Sequence, residues 1–189
     1  MVILGILLAV GIPSMSNWML TRKAGDAAGF YRDGFMMARS QAVAHNSASR
    51  LVLIDNANGQ MDWRVDICFP TRSVPCSDSS GSWSSTTAAA ADDPALAGGF
   101  RSILRSAANL PASSALVSGV LPAGADEVYF TPMGWVDGRV STRVSRITLS
   151  PSARRDGAFA PVAVALTLGG VALICNPDSA DRSPKRCPP

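Results

Sequence analysis

The sequence predicts an α+β fold in which one long N-terminal α-helix, a membrane stub plus an amphipathic half, packs on an antiparallel β-sheet. Three observations lead there. Residues 1–12 are almost uninterrupted hydrocarbon, and helical periodicity continues past them to about Asn46. From Arg50 onward the apolar period changes from 3.6 to 2. Gly, Pro and Asn then punctuate short alternating runs, with no second helical pattern between them.

The helix comes first in the chain. Eight of its first twelve residues are Val, Ile or Leu. At roughly −0.3 to −0.6 kcal/mol each, they favour insertion into a bilayer by a few kcal/mol. Twelve helical residues span about 18 Å, against about 30 Å of hydrocarbon. Continuing through Pro13, Ser14, Ser16 and Asn17 to Leu20 reaches about 30 Å, with polar interruptions. Val2, Ile3, Leu4, Ile6, Leu7, Leu8, Val10, Ile12 and Pro13 are therefore the candidate membrane residues of a segment 1–23. No basic stretch precedes them and no A-x-A site follows, which argues against a cleaved signal peptide. Pro13 is expected to kink or locally open the helix. Beyond it, Leu20, Ala24, Ala27, Tyr31, Phe35, Ala38 and Ala42 recur at intervals of three and four and form one face. Arg22, Lys23, Asp26, Asp33 and Arg39 lie mainly off that face. So much alanine lets a flat partner approach closely, and a β-sheet is the natural one. The amphipathic half is placed at 24–46 and the globular domain at 24–189.

Strands are expected at Arg50–Ile54 and Asp62–Phe69, with Asn58-Gly59 as the hairpin turn between them. In the second, Trp63, Val65 and Ile67 share one face and Asp62, Arg64 and Asp66 the other. The Asp/Asn spacing over 55–62 does not fit an EF-hand loop. Pro70–Pro94 reads as a loop whose Ser77–Ala91 stretch is low in complexity and mobile, with Trp83 either exposed or docked locally. Further strands are expected at Phe100–Arg105, Glu127–Thr131, Val144–Ser150, Pro161–Leu168 and Val171–Cys175, as one meander over 50–175. Gly169-Gly170 gives the last two a tight turn.

Four cysteines fall as two sequence-local pairs, Cys68 with Cys76 and Cys175 with Cys187. Neither pair has CxxC spacing and the one histidine, His45, lies far off, so local disulfides in an oxidising compartment are the reading, with no metal and no cofactor. Net charge is +3. Its basic part is the C-terminal third, where Arg139, Arg143, Arg146, Arg154 and Arg155 could meet an anionic partner or serve solubility. On a strand, Arg139 and Arg143 would share a face. No nucleophile–base pair, P-loop, Rossmann fingerprint or HExxH occurs, and His45 reads as a helix-end surface residue, so an enzyme is not expected.

Residues 1–46 resemble the N-terminal helix of type IV pilins and type II secretion pseudopilins. Gly5 and then Leu7-Leu8-Ala9-Val10-Gly11-Ile12-Pro13-Ser14 are similar to their "ILAAIAIPS" stretch. Phe35–Ala44, FMMARSQAVA, resembles the "LQLARSEAV" segment of the GspH/FimT branch of minor pilins. Val128-Tyr129-Phe130-Thr131-Pro132-Met133-Gly134 is similar to its "I-x-F-x-P-x-G" segment, and the Cys175–Cys187 tail looks like a pilin C-terminal disulfide loop. Met1 aligns near the seventh mature residue, so the basic leader, the Gly-Phe cleavage point and the Glu that open that pattern are not in these residues. As written, the chain is not expected to be a prepilin peptidase substrate.

The resemblance implies a pilin-like fold and a structural subunit of a type IV pilus or a type II secretion pseudopilus. It implies an inner-membrane anchor with a periplasmic domain. Its partners would be other pilin subunits, the assembly platform and the lipid bilayer. Arg22 and Lys23 just after the stub run against that topology by the positive-inside rule. Some relatives bind DNA through Gly-Arg-x-Arg in the last hairpin. The matching positions here are Gly170-Val171-Ala172-Leu173, so DNA contact could come only from the arginines named above. A membrane-tethered binding domain with no fibre role is the other alternative.

Overall fold

A computed structural model describes residues 2–180 and 183–188, with 2–14 described by backbone alone. Helix α1 runs Val2–Ala44 as one element. At 1.5 Å per residue it is a rod about 64 Å long. Its helical run passes through Pro13, so no opening there interrupts it. Proline removes one i→i−4 bond, and the bonds on either side hold the helix. The rod stops for a local reason. Asn46 takes a left-handed φ of 46°. Ser47 N–H then donates to the Ala42 carbonyl at 3.0 Å and Asn46 N–H to that of Val43 at 3.2 Å. This Schellman arrangement satisfies carbonyls that a helix end leaves open.

The strands are β1 Ala48–Asp55, β2 Met61–Cys68, β3 Ile103–Arg105, β4 Leu116–Leu121, β5 Glu127–Phe130, β6 Arg146–Pro151, β7 Val162–Leu166 and β8 Ala172–Cys175. They form two four-stranded antiparallel sheets, ordered β3-β2-β1-β5 and β4-β6-β7-β8. The single meander is thus corrected. Strand β5 returns to the open side of β1, with Ser49 opposite Phe130. Residues 131–145 then carry the chain across to the second sheet. Strand β4 carried no expectation from sequence.

The helix lies across both sheets. Ala24, Ala27, Tyr31, Phe35, Ala38 and Ala42 are buried, and Leu20 packs at their margin. They share one core with Leu51, Trp63 and Val65 of the first sheet and Ile147, Leu149 and Val164 of the second. Polar tethers fix the docking. Ser49 Oγ donates to the Ala38 carbonyl at 2.6 Å, and Trp63 Nε1 to that of Phe30 at 3.0 Å. The Tyr31 hydroxyl accepts from Met61 N–H at 3.1 Å.

The segment expected to be mobile is tied down. Ser84 N–H donates to the Ile67 carbonyl at 2.8 Å, and Ser84 Oγ accepts from Ile67 N–H at 2.9 Å. Cys68 is disulfide-bonded to Cys76, and Cys175 to Cys187. The buried Asp93 carboxylate accepts the N–H groups of Ala95 and Phe100 at 2.8 and 2.9 Å. Under the cover this segment forms over the first sheet, Asp66 of β2 is buried, while Arg64 on the same face stays partly exposed.

Candidate functional site

The stub residues Val2, Ile3, Leu4, Ile6, Leu7, Leu8, Val10, Ile12 and Pro13 lie on α1, with side chains outside the described residues. Among the described residues, no helix is long and apolar enough to cross a membrane. What the structure does describe is how the rod is held. Residues 24–42 bury one face against both sheets, while Met36 and Val43 stay exposed off that face, as do Met15 and Trp18 further up the rod.

At the far end of the rod three segments lock together. Arg39 Nε donates to the carbonyl oxygen of Gly134 at 3.1 Å. Gly134 has a φ of +77°, and a Cβ there would sit 2.9 Å from Val43 Cγ2. Gly170, at φ +76°, packs against the same peptide, where a Cβ would fall 2.0 Å from the Gly134 oxygen. Val136 N–H closes the arrangement by donating to the Leu168 carbonyl at 3.0 Å. Only glycine permits both the positive φ and this closeness. Around the lock, Met133, Trp135 and Leu168 are more than half exposed.

The basic residues do not assemble as expected. Residues 137–143 form no strand, so Arg139 and Arg143 do not share a strand face. The Asp137 carboxylate organises this loop instead. It accepts the Arg139 backbone N–H at 3.0 Å and takes its guanidinium in a two-point bond, Nε at 3.0 Å and a terminal nitrogen at 2.6 Å. That hydrogen-bonded pair holds the Asp137 carboxyl below the usual Asp range and raises Arg139. Arg143 donates to the Val140 carbonyl at 2.7 Å and Arg146 to that of Pro188 at 2.7 Å. Arg154 and Arg155 stand exposed on the short turn Ala153–Arg155.

A second charged group lies under the cover of the first sheet. The Asp66 side chain has 0% exposure and takes Arg50 Nε at 2.9 Å and Arg64 Nε at 2.7 Å. Arg50 also reaches Glu127 at 3.4 Å and stacks 4.6 Å from the Trp83 ring centroid. Burial opposes its charge, but Glu127 and Asp66 outweigh that and raise Arg50 overall. Burial pushes the Tyr129 hydroxyl up, and its hydrogen bond to Glu127 adds to this. Every charge here has a partner, so the group staples β1, β2 and β5. His45 sits exposed at the helix end, its ring edge-on to Phe100 at 5.2 Å. Among the described residues, no three His, Cys, Asp or Glu side chains converge as a metal site requires.

A helical rod docked by its lower half across disulfide-stapled sheets defines a pilin-like subunit. A scan of protein families matches GspH, described as type II transport protein GspH, over residues 31–170. The chain belongs to this family, and its role is that of a minor pilin or pseudopilin. No curated protein matches it. Two crystal forms of the Pseudomonas aeruginosa (strain PAO1) type IV minor pilin FimU are similar at 14% identity and a TM-score of 0.43. The P65 form aligns over 84% of this chain and 98% of FimU, and the P21 form over 87% and 94%.

Proposed function

We propose that this chain is an assembly subunit anchored in the inner membrane of a Gram-negative bacterium, with its sheets in the periplasm. The observation that carries the reading is the continuity of α1. One rod runs from Val2 to Ala44, and among the described residues the domain's own core takes up α1 from Leu20 onward. The apolar segment that precedes this docked half would serve another environment. Val2 to Ile12 would rest in lipid before assembly and pack against the equivalent segments of neighbouring subunits afterwards. That exchange is close to balanced, because hydrocarbon replaces hydrocarbon on both sides. The rigid rod would transmit the position of the domain to the fibre core. The two disulfides suit an oxidising periplasm.

Deleting Met1–Ile12 tests this. The remaining domain should keep its disulfides and its melting transition, because its core begins near Leu20. Pilus or pseudopilus function should be lost. Unchanged piliation and secretion would overturn the reading. The DNA alternative would rest on Arg139, Arg143, Arg146, Arg154 and Arg155, of which the first three also bond within the domain.

A further inference from the structure

We propose that the Arg39–Gly134 lock is the centre of a docking surface for the globular domain of a neighbouring, non-identical subunit that presents a carboxylate within an apolar patch. This rests on the assembly reading above and names where the lateral contact is made.

Six large apolar side chains surround the lock on its three segments. Met36 and Val43 come from α1, Met133 and Trp135 from the turn after β5, and Leu168 and Val171 from the β7–β8 hairpin. They are between 37% and 69% exposed. Together they leave on the order of 600 Å² of apolar surface in water, the upper end for an ordinary monomer and most of one side of a standard interface of about 800 Å² per partner. The segments are held in register by the hydrogen bonds at Gly134 and Leu168. The surface is therefore preorganised, and binding would cost little ordering. Its composition of Trp, Met and Arg, without Lys, Asp or Glu, is that of an interface centre.

The charge selects the occupant. Arg39 is half-buried and fixed through Nε, and among the described residues no hydrogen bond or ion pair engages its two terminal nitrogens. A carboxylate from a partner would complete a charge-assisted pair that an apolar surround strengthens. A second copy meeting the same patch would bring two Arg39 guanidinium groups together, which opposes self-pairing. Geometry disfavours lipid. About 46 Å of helix separates Val43 from Ile12, so a domain anchored by its stub holds this patch away from the bilayer. An apolar surface with one cation has little to offer nucleic acid phosphates.

The test places a photoreactive phenylalanine analogue at Trp135 or Leu168 in the full chain, in its own host. Leu104 and Val74, exposed elsewhere, serve as controls. The expected result is an adduct with a second pilin-type subunit, identified by mass spectrometry, at least ten-fold above the controls. The double variant Met133→Ser with Val43→Ser should cut that adduct about ten-fold while its melting transition stays within a few degrees. Arg39→Glu should abolish it. Adducts only with itself or with lipid, or none above the controls, in cells where the chain co-purifies with fibre subunits, would overturn this surface and leave the assembly reading standing. A chain that never co-purifies with them would overturn both.

Discussion

Arg39 on α1 donates its Nε to the carbonyl oxygen of Gly134, 3.1 Å away and 95 residues along the chain. The bond joins the two segments whose sequences most resemble the GspH/FimT pattern, FMMARSQAVA and VYFTPMG. It makes the placement of each segment depend on the other. The arginine must reach across from the helix, and the peptide it reaches must be able to turn back under it. Gly134 makes that turn with a left-handed φ, and the chain then crosses from the first sheet to the second.

Alanine at these glycines should separate backbone strain from packing. Gly170→Ala puts a Cβ 2.0 Å from a backbone oxygen that cannot move without shifting the Arg39 bond. Gly134→Ala meets a side chain, Val43, at 2.9 Å. The expected losses are about 3 kcal/mol or more for Gly170→Ala and about 2 kcal/mol for Gly134→Ala. Thermal melting should then show drops of roughly 6–12 °C and 4–8 °C. An unchanged melting transition for Gly170→Ala would mean that the hairpin does not rest on Gly134.

The ion pairs under the cover should behave as a unit. Asp66→Asn leaves Arg50 and Arg64 facing a neutral group beneath Trp83, and should cost about 3–5 kcal/mol. Replacing both Arg50 and Asp66 with Leu removes the buried charges together and should recover at least half of that loss, because Arg64 is exposed enough to turn into water. Urea unfolding of the single and double variants gives the comparison. Equal losses in both would show that packing, rather than charge pairing, holds β1 to β2.

The rod and most strands were legible because their signals are local. The Ala, Tyr and Phe face of α1 repeats at three and four, and β2 and β7 alternate cleanly. Strand β4 was hidden by Ser118-Gly119 at its middle, where the missing side chain lets Thr148 Oγ1 reach the Gly119 carbonyl at 3.1 Å. Alternation placed Asp66 with Asp62 and Arg64 on the face opposite Trp63, but it shows which face a residue takes, not whether a distant loop covers that face. The pairing of Arg139 and Arg143 failed for a related reason. Asp137 two residues earlier binds the Arg139 backbone and side chain together, and that turn chemistry outweighs strand periodicity. Arg39 was read as lying off the helix face. Its partner is nearly a hundred residues away, and only the FMMARSQAVA resemblance marked the segment.

The Asp137–Arg139 pair has a defined pH signature. The arginine holds the carboxyl below its ordinary value, so the folded state binds its proton less tightly than the unfolded one. The stabilisation is complete above about pH 4, the unfolded value, and fades as pH falls through the lower folded value. Arg139→Ala should move the Asp137 carboxyl back toward the ordinary range in a carbon-detected NMR titration. It should also raise the pH at which acid begins to loosen the 137–143 loop. A carboxyl resonance that titrates identically in both proteins would show that Asp137 is set by its backbone bonds alone.

At the alkaline end the two tyrosines should act together. The chain has only Tyr31 and Tyr129. Burial raises both hydroxyls above the ordinary value of 10, through the core around α1 for Tyr31 and the cover of the first sheet for Tyr129. The unfolded chain therefore loses these protons first. Their contribution to stability is full below pH 10 and declines as pH rises beyond it. Absorbance at 295 nm should stay flat past pH 10 while the fold is intact, then rise together with the loss of the near-ultraviolet circular dichroism of the buried aromatics. Tyr129→Phe should lower the amplitude of that rise by about half without creating an earlier step. A phenolate signal near pH 10 in the folded protein would show that one ring is open to solvent. In that case either the helix–sheet core at Tyr31 or the cover over Tyr129 would be looser than described.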